Sequence, residues 1–417
     1  MYLTQTNLIR GLSKHEYLML RLMCFFSKNL YNASLYNIRQ YYFTEKKYLR
    51  YEANYHVTKD NENYKLLQAG VSQQTMKVVD RAFHSFFSLI EKARRGEYRF
   101  QDIKLPTYRE KGSLFNLILQ ANAIAISNGR LKIPMSMEFM RRYGKQDIRI
   151  PVPERVLKHK VREIRIIPIL NGMQFKIQYV YEVEPELLNL NRENSLAIDV
   201  GLENLATCIS TVGTSFIMDG RKLKSINRLW NKRRAELQSH LPQGRRSSLL
   251  IQQLTLKRNN RVNDCIKKTA RYIVNHCIAN DIGTIVCGYN PDFKRGVNLG
   301  SKTNQNFTQI PFGSLREQLE NLCERYGMQY IEQEESYTSK ASFLDLDEMP
   351  VYNADNPYTG KFSGRRIHRG LYRASDGRTV NADLNGAANI LRKSSQNFNF
   401  EELSRGLLAS PLRIKFA

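Results

Sequence analysis

Two short runs place aspartates where they could hold metal ions. In residues 195–201 (SLAIDVG) an apolar, strand-like run ends in Asp199; in NADLNGAANI a helix begins at Asp383, and Ala387 and Ala388 would let it pack close to a sheet. An acid at the end of a buried strand, with further acids on neighbouring elements, is how proteins bracket two divalent metals ~3.5–4 Å apart for phosphodiester cleavage. Carboxylate oxygens suit Mg²⁺. An unpaired buried carboxylate is costly, so Asp199 requires a partner cation. Plainer roles stay open at this level: Asp199 could cap a turn beside Gly201, and Asp383 could be a helix N-cap.

The cations point to the substrate of such a centre. The chain of 417 residues carries 64 Lys+Arg against 39 Asp+Glu, a net charge of +25. About half of it lies in residues 221–274, which include Lys232, Arg233 and Arg234 and hold 15 Lys/Arg against Glu236 and Asp264. A solvated face normally mixes signs, and self-repulsion on this scale calls for a neutralising polyanion. Nucleic acid fits better than a membrane surface, which is usually met by one amphipathic basic helix. No uncharged apolar run reaches the ~18 residues of a membrane span, and the opening MYLTQTNLIR is no signal peptide. Six scattered cysteines without a C-x-x-C pair suit reduced, buried thiols rather than disulfides. These features describe a cytoplasmic, nucleic-acid-binding protein with no membrane partner.

The elements that must position these residues follow from periodicity. Residues 13–99 read as helical, with tyrosines set among Lys and Arg in a pattern that serves either a bundle core or stacking on nucleic acid. Residues 100–185 read as short strands of a small barrel or sandwich. Asn128-Gly129 and Asn171-Gly172 predict two hairpins with type I′ turns, and Pro151, Pro153 and Pro168 suit strand edges. After a linker over 182–194 come strands at 195–201, 206–210 and 215–218, a long polar helical region to 274, and a strand at 284–287. A helix capped by Ser314 and Glu317 and ended by Gly327 follows, with apolar face Leu315, Leu319, Leu322 and Tyr326, then a strand at 329–333 and a helix at 383–393. Three strands, helix, strand, helix, strand, helix is the chain order of an RNase H-like fold, so the class is α/β and multidomain.

LAIDVGLENLAT, NADLNGAANI, the basic helical hairpin after the third strand and QQTMKVVDRAFHSFF resemble TnpB, the transposon-encoded RNA-guided nuclease family related to type V CRISPR effectors. The resemblance runs in order along nearly the whole chain. It implies a β-barrel wedge domain (1–12 and 101–190), an inserted helical recognition lobe (13–100), a RuvC-like nuclease domain (191–335 and 383–395), a nucleic-acid-binding insertion (336–382) and a tail (396–417). It further implies a guide RNA from the transposon end, a short target-adjacent motif and Mg²⁺-dependent cutting of double-stranded DNA. By the same resemblance Gln73, Gln74 and Lys77 read the adjacent motif, for which Gln suits adenine edges.

Two departures from the family pattern matter. The fourth strand, TIVCGYN, has Gly288 where a glutamate is expected, while the fifth ends in QEESYTSK with the unusual acids Glu334 and Glu335. In a sheet ordered 3-2-1-4-5 these strands are neighbours ~4.8 Å apart, so a glutamate could reach across the bare Gly288. Adjacent strand residues face opposite ways, so one of the pair serves, and Glu335 is preferred as the nearer to the strand end. Second, no cysteine follows Cys323, so the insertion lacks the family's zinc cysteines and no zinc is expected. It offers Lys361, Arg365, Arg366, His368, Arg369, Arg373 and Arg378 instead, a basic flap held by hairpin packing.

The leading expectation is an RNA-guided DNA endonuclease in which Asp199, Glu335 (or Glu334) and Asp383 hold two Mg²⁺. The alternative supported by Gly288 is a nuclease-dead, RNA-guided DNA-binding repressor; a transposase or resolvase working without RNA is a third.

Overall fold

A computed structural model describes residues 1–290, 309–353, 358–368, 370–394 and 411–415. Arg369 and most of the expected tail fall outside them. The chain divides into two compact units, Met1–Glu184 and Pro185–Ala417.

The first unit opens with strand β1 (Tyr2–Leu8) and helix α1 (Lys14–Glu45), whose N-terminus is closed by a capping box between Ser13 and Glu16. Helices α2 (Tyr51–Thr58), α3 (Glu62–Lys65) and α4 (Ala69–Arg94) complete the helical part. Strand β2 (Leu117–Gln120), β3 (Ala125–Ser127), β4 (Arg130–Lys132), α5 (Met137–Tyr143), β5 (Arg149–Pro151), α6 (Glu154–Leu157), β6 (Val161–Ile169) and β7 (Gln174–Glu182) follow. The strands pair as two antiparallel sheets, β1-β7-β6-β2 and β3-β4-β5, which share one apolar core with α1 and α4.

The two expected hairpins differ in their turns. Asn128 and Gly129 both take positive φ between Ser127 and Arg130, as a two-residue type I′ turn requires. In the other, Ile169 pairs with Gln174, leaving a four-residue loop in which Leu170, Asn171 and Gly172 all have positive φ. The Asn-Gly pair therefore marks the turn without setting its length. Pro151 lies on an edge strand, and Pro168 lies in the part of β6 beyond the reach of β2.

The second unit is built on a six-stranded sheet: β8 (Ser195–Asp199), β9 (Asn204–Ser210), β10 (Ser215–Asp219), β11 (Thr284–Tyr289), β12 (Gln329–Glu334) and β16 (Leu412–Ile414). Their spatial order is β12-β11-β8-β9-β10-β16. Its first five strands have the 3-2-1-4-5 order expected of an RNase H-like sheet, read from the other edge. The strand β16 is an addition that periodicity did not reveal. Helices α7 (Arg221–Ser239) and α8 (Leu249–Ala279) follow β10, and α9 (Phe312–Tyr326) joins β11 to β12. The start of α9 differs from the expected cap: Pro311 precedes it, no side chain caps it, and Ser314 lies inside its first turn. Burial of Phe312 carries the helix back beyond Ser314. Its end is as expected, with Gly327 at φ 71°.

Between β12 and the last helix, α10 (Ala382–Lys393), lies a small three-stranded sheet of β13 (Arg365–His368), β14 (Leu371–Arg373) and β15 (Thr379–Asn381). No cysteine holds it. Tyr372 and Phe343 are buried, and Asp345 and Asp347 accept hydrogen bonds from Ser375, Ser342 and Ser363.

Strand alternation sorts the sheet into two cores. Leu196, Ile198, Ile285 and Cys287 face α8 and α9, whereas Ala197, Val286 and Ile331 face α10. Ala387 and Ala388 are fully buried against that second face. All six cysteines are buried and free. No described helix is long and apolar enough to cross a membrane.

Candidate active site

The alternation that sends Ala197 toward α10 sends Asp199 the same way, at the end of the central strand. Val286 fixes the same direction for residue 288, and Cys287 pairs with Ile198, so Gly288 and Asp199 are neighbours on this face. Residue 335 shares its parity with Ile331 and so projects to the same side.

At Gly288 a Cβ would stand 2.6 Å from Glu335 Oε2 and 2.7 Å from Ile390 Cδ1. The space vacated by a side chain at 288 is thus taken by the Glu335 carboxylate. Gly386, on α10, plays the matching part opposite, where a Cβ would lie 2.8 Å from Asp199 Oδ2. A glycine in mid-helix costs about 0.5–1 kcal/mol relative to alanine; here it lets the helix backbone approach the carboxylate.

The two glutamates part company. Glu334 receives Lys393 Nζ at 2.7 Å and the Ser336 amide at 2.5 Å. Burial pushes its carboxyl up, but these hydrogen bonds outweigh burial and hold it below the usual carboxylate range. Lys393 also donates to the carbonyl of Ser336 at 2.9 Å, tying the end of β12 to α10. For Glu335, burial dominates and raises the carboxyl, with Arg316 opposing and Glu334 adding to the rise. Arg316, on α9, lies 3.4 Å from Glu332 and 4.7 Å from the Tyr289 ring centroid.

Asp199 keeps some accessible surface, yet protein surrounds it densely. Burial first, then the nearby charges of Glu335 and Asp383, push its carboxyl well above the usual range, with Arg366 opposing. The structure therefore brings Asp199, Glu335 and Asp383 into one electrostatic neighbourhood from three separate elements. Asp383 is not the N-cap of α10. Asn381 is, accepting from the amides of Asp383 and Leu384, which leaves the Asp383 carboxylate free of capping duty. One of its oxygens accepts from Arg366 Nη2 at 2.8 Å and the other from Asn204 Nδ2 at 2.5 Å.

Carboxylates on neighbouring elements, two of them raised by burial, are a donor type that hard divalent cations neutralise. As the side chains stand, no group of three or more His, Cys, Asp or Glu among the described residues is gathered closely enough to hold an ion. Asp383 is turned to Arg366 through one oxygen and to the Asn204 amide through the other. The donor chemistry fits a hard divalent cation, with Asp383 turned to Arg366.

The remaining expected residues are dispersed. Lys232 and Arg233 are exposed on α7, whereas Arg234 is half-buried with its guanidinium 5.0 Å from the Trp230 ring centroid. Arg365 and Arg366 lie on β13, but only Arg366 reaches the acids. In the first unit Gln73 and Lys77 are half-buried, with Lys77 Nζ 5.3 Å from the Tyr51 ring centroid. Gln74 falls on the buried stripe of α4 with Val71 and Thr75, is 4% exposed, and its Oε1 has no hydrogen-bond partner among the described residues. Asn204, Arg316, Lys393 and Arg413 escaped the sequence. Each acts on an acid distant along the chain, and no local pattern marks such pairs.

Residues 178–293 match a family model described as probable transposase (OrfB_IS605), and residues 312–390 match the Cas12f1-like TNB domain. The TnpB-like protein ORF457 of Acidianus two-tailed virus is 25% identical over 94% of this chain and 86% of its own length. Among solved structures, Cas12f1 in a complex with sgRNA and target DNA superposes with a TM-score of 0.60 at 15% identity, covering 91% of this chain and 83% of that one. At that identity the likeness concerns the fold, which is mixed α/β. With both family models in chain order and the viral relative spanning nearly all of it, the chain is similar to TnpB proteins and to the type V effectors along its length.

Proposed function

We propose that the protein is an RNA-guided DNA endonuclease that cuts double-stranded DNA beside a short adjacent motif by Mg²⁺-dependent hydrolysis. The observation that carries the reading is the Glu335 carboxylate in the space left by Gly288, beside Asp199. An acid absent from the fourth strand is thereby supplied from the fifth. Further support comes from the likeness to TnpB proteins, from the relatives that bind sgRNA and target DNA, and from the positive run on α7 and α8.

Asp199, Glu335 and Asp383 would hold the metal ions. Two Mg²⁺, when bound, stabilise the entering and leaving oxygens of an in-line displacement at phosphorus. The chain's own contribution is placement. Lys393 engages Glu334, leaving Glu335 as the carboxylate beside Gly288; Gly288 and Gly386 provide the room; Arg366 offsets negative charge at Asp383 and could pair with a phosphate instead. Exposed Lys232 and Arg233 would contact backbone phosphates, and Gln73 with Lys77 the adjacent duplex. On this reading residues 1–12 and 101–190 act as the wedge, 13–100 as the recognition lobe and 336–382 as a zinc-free basic insertion.

Purified with the guide RNA that accompanies it, the wild type should cut matched DNA in Mg²⁺, while Asp199→Ala, Glu335→Gln and Asp383→Ala should not. Guide-directed binding without nicking by the wild type, in Mg²⁺ and in Mn²⁺, would establish the repressor instead. The hold of Arg366 on Asp383 is the feature favouring that second reading.

A further inference from the structure

We propose that strand β16 completes the acidic site through Arg413, a positioning residue that fixes the amide of Asn204 toward Asp383. The inference rests on the nuclease reading of the acids and adds a component to it.

The added strand runs parallel to β10, with Phe216 opposite Leu412, Ile217 opposite Arg413 and Met218 opposite Ile414. Ile414 packs on the core beneath the sheet, which seats the strand. Arg413 Nη1 then donates to Asn204 Oδ1 at 2.8 Å, and the guanidinium lies 3.6 Å from Asp219 Oδ2. Asp219 is shared with Arg221, whose Nε lies 2.9 Å from Oδ2. Asn204 is 8% exposed, and its Nδ2 donates to Asp383 Oδ2 at 2.5 Å.

The two ends of an asparagine amide are alike in shape and opposite in chemistry, so its neighbours decide which way it faces. Guanidinium can only donate and an ionised carboxylate can only accept. Between them Asn204 has one satisfying orientation, oxygen to Arg413 and nitrogen to Asp383. The flipped amide would aim its oxygen at the carboxylate and its nitrogen at the guanidinium, mismatching both contacts. Removing the guanidinium removes what distinguishes the two orientations on that side. Arg413 does not touch Asp383; it acts through Asn204, across 209 and then 179 positions of sequence. An RNase H-like sheet does not need a sixth strand here, and this contact supplies a reason for one.

The test uses the full chain with its copurified guide RNA. Arg413→Met keeps the aliphatic stem and loses every donor; Arg413→Lys keeps a donor; Asn204→Ala removes the relay without touching the strand. Mn²⁺ affinity is read by electron paramagnetic resonance, together with cleavage at saturating matched DNA and the thermal midpoint. Arg413→Met should weaken Mn²⁺ binding and slow cleavage by about five- to tenfold, the scale of one ordinary hydrogen bond, with little change in midpoint. Arg413→Lys should recover most of the loss. Asn204→Ala should show a loss of the same size, and adding Arg413→Met to it should lower Mn²⁺ affinity no further. Wild-type Mn²⁺ affinity and cleavage in Asn204→Ala would overturn the proposal, whether or not the Arg413→Met chain folds. Losses that multiply in the double variant would do the same. Asp199→Ala serves as control: if it cuts normally, the nuclease reading and this inference fall together. If it is inactive while Arg413→Met behaves as wild type, this inference alone falls.

Discussion

Replacing Gly288 by alanine should separate the stability of the second unit from the placement of its proposed metal ligands. The new Cβ would sit 2.6 Å from Glu335 Oε2 and 2.7 Å from Ile390 Cδ1, against 3.4–4 Å for ordinary contact, so each neighbour must yield by roughly 1 Å. Both are side-chain ends, but they are not equally free. Ile390 is wholly buried among Leu384, Ala387 and Leu391, whereas Glu335 keeps part of its surface in solvent. The displacement therefore falls mainly on the carboxylate. Because the backbone need not move, the stability cost lies at the low end of overpacking, about 1 kcal/mol, or roughly 2–4 °C in the unfolding midpoint. A ligand moved by an ångström loses far more function than that, and about a 10- to 100-fold fall in Mn²⁺ affinity and in cleavage at saturating DNA is expected. Calorimetry, Mn²⁺ titration and cleavage of a matched duplex check the three quantities. The reasoning also requires non-additivity: in a Glu335→Gln chain, Gly288→Ala should cost little further Mn²⁺ affinity. Wild-type Mn²⁺ affinity in Gly288→Ala, or an undiminished second loss in the Glu335→Gln background, would refute it.

Lys393→Met should act on stability more than on DNA binding, since it leaves Glu334 without its cation; with Glu334 itself about one-third exposed, roughly 1–2 kcal/mol is expected from thermal unfolding. Asp199 gives a pH signature in the metal-free protein. Its carboxyl holds a proton more tightly folded than unfolded, so folded chain binds the extra proton above about pH 4, and stability should fall as pH rises from there through the folded value. Asp199→Asn should flatten that dependence and raise the metal-free midpoint at neutral pH; an unchanged pH profile would count against the shift. Removing the exposed cations Lys232 and Arg233 together should reduce the steepness of log affinity for duplex DNA against log salt by about 2, equally for matched and unmatched DNA, and a slope equal to wild type would free α7 of phosphate contact.

Asp199, Asp383 and the alternation around them were legible in the sequence because short-range period decides strand, face and helix start. SLAID is apolar at its centre and ends in an acid; Ala387 and Ala388 announce a close-packed helix. Charge composition, likewise additive along the chain, pointed to a polyanion. The missing glutamate was visible as Gly288, and the acids that could stand in for it as Glu334 and Glu335. Local pattern preferred Glu335 by its place at the strand end but could not show that Glu334 is engaged by Lys393, a partner 59 positions away. The same holds for Gln74, whose chemistry suits a base edge but whose place on α4 faces inward, and for the length of the Asn171-Gly172 loop, which cross-strand register set. Asp383 bound by Arg366 and Asn204, and β16 bringing Arg413 to that amide, arise only when distant strands pair. Side-chain chemistry and periodicity are properties of a residue and its near neighbours, whereas partners, burial and orientation depend on which distant segments the folded core brings together.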